Sequence, residues 1–317
     1  DTSELHFALG NLFRRRGEYD RAVRVHEHLL SRGDLGRVDR ERAQHALALD
    51  FLKAGLLDRA EQALQRLEGT PFEAEARLAL LAIYERSSDW SLAAAIADKM
   101  DRAAQGDFST RQAHYLCEQA ATLLGKGQTE EARSLLQRAI ATAPHAARAR
   151  IDLAAMQQAS GDHAAAFSTL RTMGEATPAA LPLAAARLAQ AASSSQQPQA
   201  ALDLLTSSYA TSPSLDVLEA IVALTASGTG DNEQARTWYV KHLEREPSLV
   251  AAAKWIAGEK LEHAQFHPQI QRALDHAVKP LTRYRCAACG FEAKQHFWQC
   301  PGCQTWDSYP ARRVEEL

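Results

Sequence analysis

Cysteine is scarce in this chain. Five occur in 317 residues, far below the density of a secreted disulfide scaffold, and four of them crowd between positions 286 and 303. No run approaches the ~18 apolar residues that span a bilayer. Neither sign of charge dominates: 36 basic against 39 acidic residues leave a net charge of −3, which gives no global pull toward nucleic acid or anionic lipid. Catalytic signatures are missing as well. No nucleophile elbow, zinc-protease helix motif or dinucleotide fingerprint occurs. Gly125-Lys126-Gly127-Gln128-Thr129 lacks the earlier glycine and the hydroxyl directly after lysine that a phosphate loop needs. With no substrate-site chemistry in view, the expectation is a protein that is not an enzyme. No secretory signal is present either. The chain opens at Asp1, already inside an amphipathic helix, so a preceding segment is expected.

What the chain has is small apolar residues in a repeating pattern. Hydrophobic residues make up 46% and aromatics only 7%, a mixture that suits helices packed through small side chains. A turn residue followed five positions later by alanine recurs as Gly17/Ala22, Gly55/Ala60, Ser88/Ala93, Gly127/Ala132, Gly161/Ala166, Gln196/Ala201 and Gly230/Ala235. The alanines are spaced by 38, 33, 39, 34, 35 and 34 residues. Seven positions before the turns stand Gly10, Ala48, Leu81, Ala120, Ala154, Ala189 and Ala223, and Pro144, Pro178, Pro213 and Pro247 follow the last four alanines by twelve. This pattern resembles the tetratricopeptide repeat, a helix-turn-helix unit of about 34 residues. Small residues let two helices approach, a left-handed residue ends the first, and proline stops the second. The expected fold is all-α, a tetratricopeptide-repeat superhelix over residues 1–280. Its segments 249–260 and 266–279 form a capping helix pair. The two longer steps place enlarged loops at 31–40 and 103–110, and Ser193 to Pro198 forms a polar turn.

Such an array offers a groove for partners rather than a catalytic pocket. A clamp for peptide carboxylates needs basic and asparagine side chains on inner helices. Asn11 and Arg14 are the candidates, but Phe7 and Leu49 stand where further polar partners belong. His114 and Cys117, one helical turn apart, read as a buried thiol beside an imidazole. His26 and His28 face different ways on their helix and read as surface or packing residues.

Residues 281–317 form a second, small module. Cys286-Ala287-Ala288-Cys289 and Cys300-Pro301-Gly302-Cys303 are two pairs able to aim four thiolates at one ion. About 35 residues bury too little core to fold unaided, so a bound metal supplies much of the stability. Tyr284 to Cys286 and Phe291 to Trp298 alternate like short strands. His296 lies between the pairs, but four cysteines already complete a tetrahedron. Phe291, Phe297, Trp298, Trp306 and Tyr309 exceed what so small a core can hold, so some dock on the last helices or meet a partner. Trp298 and Trp306 are the partner candidates here. The pattern resembles a rubredoxin-type or zinc-ribbon knuckle, although rubredoxins space the pairs more widely and Gln304 takes the place of the usual glycine. Four thiolates suit iron and zinc alike.

Leu9 to Ala22, Arg283 to Phe291 and Trp298 to Trp306 carry a resemblance that covers both parts. Repeats ending in this knuckle resemble the lipopolysaccharide assembly protein B family, heat-shock tetratricopeptide-repeat proteins of Gram-negative bacteria. The resemblance implies an adaptor that promotes degradation of the lipid A pathway deacetylase by a membrane-anchored AAA protease. It also implies contact with inner-membrane regulatory and lipopolysaccharide-assembly proteins, and no nucleic acid. It places the repeats on the cytoplasmic side of the bacterial inner membrane, held by a single-pass anchor that this chain lacks. Two other readings stay open. An electron carrier requires iron and a reversible redox step. A nucleic-acid-binding zinc ribbon requires a basic face, yet Glu292, Asp307, Glu315 and Glu316 offset Arg283, Arg285, Lys294, Arg312 and Arg313.

Overall fold

The local grammar of the repeats decides the architecture of this computed structural model, which describes residues 2–229, 232–259 and 264–317. Two compact units divide the chain, Asp1–Tyr115 and Leu116–Leu317. Helix pairs run through both: α1 (Thr2–Arg15), α2 (Tyr19–Ser31), α3 (Arg37–Ala54), α4 (Leu57–Gln65), α5 (Glu73–Ser87), α6 (Trp90–Arg102), α7 (Ser109–Gly125) and α8 (Thr129–Thr142). They continue as α9 (Ala147–Ala159), α10 (His163–Ala176), α11 (Leu181–Ser194), α12 (Pro198–Thr211), α13 (Leu215–Thr229), α14 (Asn232–Arg245), α15 (Leu249–Ala257) and α16 (His267–Val278). No helix among the described residues is long and apolar enough to cross a membrane.

Six of the expected turn residues, Gly17, Gly55, Ser88, Gly127, Gly161 and Gln196, adopt left-handed backbone with φ from 57° to 83°. After each, the next residue donates its N–H to the carbonyl five positions back, as in Glu18 to Phe13 (2.9 Å) and Gln197 to Ala192 (2.8 Å). This bond satisfies a carbonyl that the ending helix would otherwise leave bare. The paired alanines Ala22, Ala60, Ala93, Ala132, Ala166 and Ala201 are all fully buried. Gly230, the seventh turn residue, lies outside the described residues, as does the side chain of Ala235. Pro144, Pro178, Pro213 and Pro247 each stand two residues past the end of α8, α10, α12 or α14.

The first loop is shorter than the spacing suggests, because α3 starts at Arg37 and absorbs the extra residues. The second, 103–108, is anchored by Asp101, whose carboxylate accepts from Phe108 N (2.7 Å) and Gln112 Nε2 (2.6 Å).

In the first unit, Gly10 allows α1 to lie against α2: an added Cβ would stand 2.4 Å from the His26 ring. His26 is wholly buried, and its Nδ1 bonds the equally buried Asp50. In the second unit a continuous core joins α9 to α15 through Leu170, Leu188, Leu205, Leu218 and Ile221, all fully buried. Beyond α16 the helical pattern ends. The chain turns at Leu281 and packs against the N-terminal ends of α11, α13 and α15, with Leu183 touching the Tyr284 cluster and Leu281 and Trp298 touching the main core.

Candidate metal centre

Two strand-turn units build the centre. β1 (Tyr284–Arg285) pairs antiparallel with β2 (Glu292–Ala293), and a single bridge joins Gln299 to Trp306. Each pairing ends in a tight knuckle. In the first, Gly290 N donates to Cys286 O (2.9 Å) and Cys286 N to Phe291 O (2.9 Å). In the second, Gln304 N donates to Cys300 O (2.8 Å) and Cys300 N to Thr305 O (3.0 Å). The residue closing each knuckle is left-handed, Gly290 at φ 79° and Gln304 at φ 60°. The two pairs are thus built alike from local hydrogen bonds.

The knuckles bring Cys286, Cys289, Cys300 and Cys303 together, with all four sulfurs within 4.8 Å of one another. Cys286 Sγ stands 3.8 Å from Cys303 Sγ, and Cys289 Sγ 3.7 Å from Cys300 Sγ. A disulfide requires about 2.05 Å. A tetrahedron with metal–sulfur bonds of about 2.3 Å has edges of about 3.8 Å. The donor set therefore fits a four-coordinate metal and not a pair of disulfides. Cys286 and Cys300 are buried while Cys289 and Cys303 open to solvent.

The surroundings stabilise thiolate. Burial raises the Cys286 thiol, but the Ser308 hydroxyl, 3.3 Å from its sulfur, and the N–H groups of Cys289 and Ala288 outweigh it, and the pKa falls to about 6. Thr305, whose hydroxyl lies 3.3 Å from Cys303 Sγ, lowers that thiol through both side chain and backbone. The Phe291 N–H favours thiolate at Cys289, yet the neighbouring sulfurs push Cys289 up to about 12. Crowded negative sulfurs resist full ionisation unless a cation joins them.

His296 has another task, since its Nε2 donates to Tyr309 O (3.0 Å) and its ring packs edge-on against Tyr284, Trp298 and Tyr309. Trp306 is buried, and Trp298 leans on the main core of the second unit. Asn11 and Arg14 lie in the first unit, away from the cysteines in sequence and committed to each other. Arg14 donates to Asn11, to Ala46 O (2.9 Å) and to Asp50 Oδ1 (2.8 Å). Cys117 is buried, and burial raises its thiol to about 12.

The tail after the second knuckle holds residues whose contacts the sequence reading did not foresee. Arg313 forks onto Asp216 (2.9 and 2.7 Å) and donates to Thr282 O (2.8 Å). Glu316 accepts from Leu215 N (2.8 Å) at the start of α13. Glu315 accepts from Ser248 Oγ (2.7 Å) and Leu249 N (2.7 Å) at the start of α15. Two adjacent carboxylates thus serve two helix N-termini, where bare N–H groups favour negative charge. In the sequence Arg313, Glu315 and Glu316 stand out only as opposing charges.

Residues 284–309 match the rubredoxin metal binding domain family, and residues 5–40 and 123–191 match tetratricopeptide repeat families. The chain is a tetratricopeptide-repeat protein that ends in a rubredoxin-like, four-cysteine metal-binding module. Over its whole length it is similar to lipopolysaccharide assembly protein B. It is 29% identical to the Escherichia coli protein, covering 100% of this chain and 83% of that protein. It is 27% identical to the Haemophilus influenzae protein, covering 96% of this chain and 78% of that one. A solved structure of MamA from Desulfovibrio magneticus aligns with a TM-score of 0.32 at 18% identity, covering 56% of this chain and 95% of that chain.

Proposed function

We propose that this protein is a non-enzymatic adaptor that regulates lipopolysaccharide biosynthesis. In this reading its repeats bring the lipid A pathway deacetylase to a membrane-anchored AAA protease, alongside inner-membrane regulatory and lipopolysaccharide-assembly proteins. The observation that carries the reading is whole-length similarity to proteins named for lipopolysaccharide assembly, spanning repeats and metal module together. Repeats 1–280 act as the binding array and residues 281–317 as the metal module. The work is done at the cytoplasmic side of the bacterial inner membrane. Holding substrate and protease on one scaffold raises their effective concentration without any catalytic group.

Cys286, Cys289, Cys300 and Cys303 hold one iron or zinc ion, which when bound neutralises their charge and closes the module. Replacing Cys300 with serine in the full-length protein is expected to release the metal and let the deacetylase accumulate in cells. Metal loss with unchanged deacetylase levels would separate the module from the function. Elemental analysis and an absorbance spectrum before and after reduction assign the ion. One zinc per chain by elemental analysis with no visible absorbance identifies a zinc protein, whereas iron with a colour that bleaches reversibly restores the electron-carrier reading.

A further inference from the structure

Away from the metal centre, α7, α8 and α9 line a half-open cavity of about 700 Å³ walled by Ala120, Leu124, Leu136, Ala155 and Met156. Pockets for small ligands span about 300–1,000 Å³. Arg148 lines this cavity and is itself only 8% exposed. Its Nη2 donates to Glu118 Oε1 (2.7 Å). Its Nε and Nη1 are buried and have no hydrogen-bond acceptor, although Asp152 Oδ2 stands 3.4 Å from Nε at ion-pair distance. Buried donors are nearly always matched. Two donors without a hydrogen-bond acceptor, on a residue that lines an apolar cavity, can serve an incoming acceptor once the guanidinium turns toward it.

The charge balance selects which acceptor. Arg148 with Glu118 and Asp152 sums to one negative charge, so an entering carboxylate would meet net repulsion. A neutral amide oxygen would not, and it can take a guanidinium N–H as well as a carboxylate can in geometry. The alanines leave room beside it for an apolar side chain. We propose that this cavity receives a peptide segment of a partner protein, with a leucine-sized side chain between Ala120 and Ala155 and a main-chain carbonyl accepting from Arg148. The proposal deepens the adaptor reading and rests on it.

Ligand-observed NMR on the full chain tests it with two probes, acetyl-leucyl-leucine amide and the free acid acetyl-leucyl-leucine. The amide is expected to bind saturably and the acid at least about tenfold more weakly, since repulsion by the two carboxylates acts in a site of low dielectric. Arg148→Lys keeps the charge but loses the planar fork, and is expected to weaken the amide about tenfold, the scale of one charge-assisted hydrogen bond. Ala155→Leu should abolish binding by filling the slot. Ala159→Leu, at an exposed position of the same cavity, serves if the first variant does not fold. No saturable binding of the amide, tighter binding of the acid, or wild-type binding by the folded leucine variant would overturn the proposal. Capture of purified protease and deacetylase separates it from the adaptor reading. Equal capture by wild type and the leucine variant sinks the cavity as a partner site. Amide binding without capture by either leaves the cavity standing and removes the adaptor.

Discussion

Gly290 and Gln304 do the same work with unequal strain. Both are left-handed and both donate the N–H that closes a knuckle. Glycine reaches that conformation freely, whereas a residue with a Cβ is penalised by about 1–2 kcal/mol. Gln304→Gly is therefore expected to stabilise the metal-bound module by roughly 0.5–1 kcal/mol after the extra freedom of the unfolded glycine is subtracted. Slower metal transfer to a chelator would register it, and faster transfer would contradict it. Gly290→Ala should act in the opposite direction. At Gly10 the constraint is contact rather than torsion. Its replacement by alanine drives a methyl into His26, and overpacking of this kind costs about 1–3 kcal/mol, read as a lower thermal midpoint. The clustering of the four cysteines was legible in the sequence because knuckle spacing is local. Ser308 was not, because it reaches Cys286 across 22 positions with no pattern to announce it. The same holds for the His26–Asp50–Arg14 network, whose members lie on three helices.

Helix ends show the same contrast between local and distant signals. Ser88 and Gln196 stand in the glycine turns' places and fold as those turns do, so the repeat period outweighed residue preference there. Caps supplied from within the turn, as by Asp89 to Leu92 N (3.1 Å) and Asp162 to Ala165 N (3.0 Å), follow from short-range sequence. Those supplied by Glu315 and Glu316 come from 66 and 101 residues away and have no periodicity. Glu315→Ala is expected to cost about 1–2 kcal/mol, the worth of a helix N-cap in favourable geometry, and to speed hydrogen exchange at Leu249 and Val250. Glu316 gives a pH test. Burial raises its carboxyl above the usual range, with main-chain N–H groups of Arg313 and Leu215 pulling the other way. A raised folded pKa means that its contribution is fully present below about 4.5 and is lost as pH rises through the folded value. Denaturation measured across that window should show stability falling with rising pH, and Glu316→Gln should flatten the slope. An unchanged slope would assign the effect to another group.

For the molecule as a whole, sequence order suggests a metal module closing the end of the helix stack, yet the module reaches back as far as α11. Its path is continuous. Ala287 N donates to Ser308 O (2.7 Å) and Tyr309 OH to Phe291 O (3.1 Å), which ties the tail to both sides of the cysteine cluster. Arg312 then donates to Ser212 Oγ (2.6 Å), Arg313 grips Asp216, and the two glutamates reach α13 and α15. A module this small is expected to draw much of its folding free energy from a bound ion, and the tail and the helix ends it caps to share that dependence. Withdrawing the metal is expected to raise hydrogen exchange at Leu215, Leu249 and Val250 by tenfold or more, a change of about 1.4 kcal/mol in local opening. Amides inside α9 and α10, which the tail does not touch, serve as the reference. Linkage makes the effect reciprocal: Arg313→Met, which weakens the grip on Asp216, should lower metal affinity in an equilibrium competition with a chelator although Arg313 touches no cysteine. Full protection of the α13 and α15 amides after metal removal, together with normal affinity in Arg313→Met, would mean that ion and array are uncoupled.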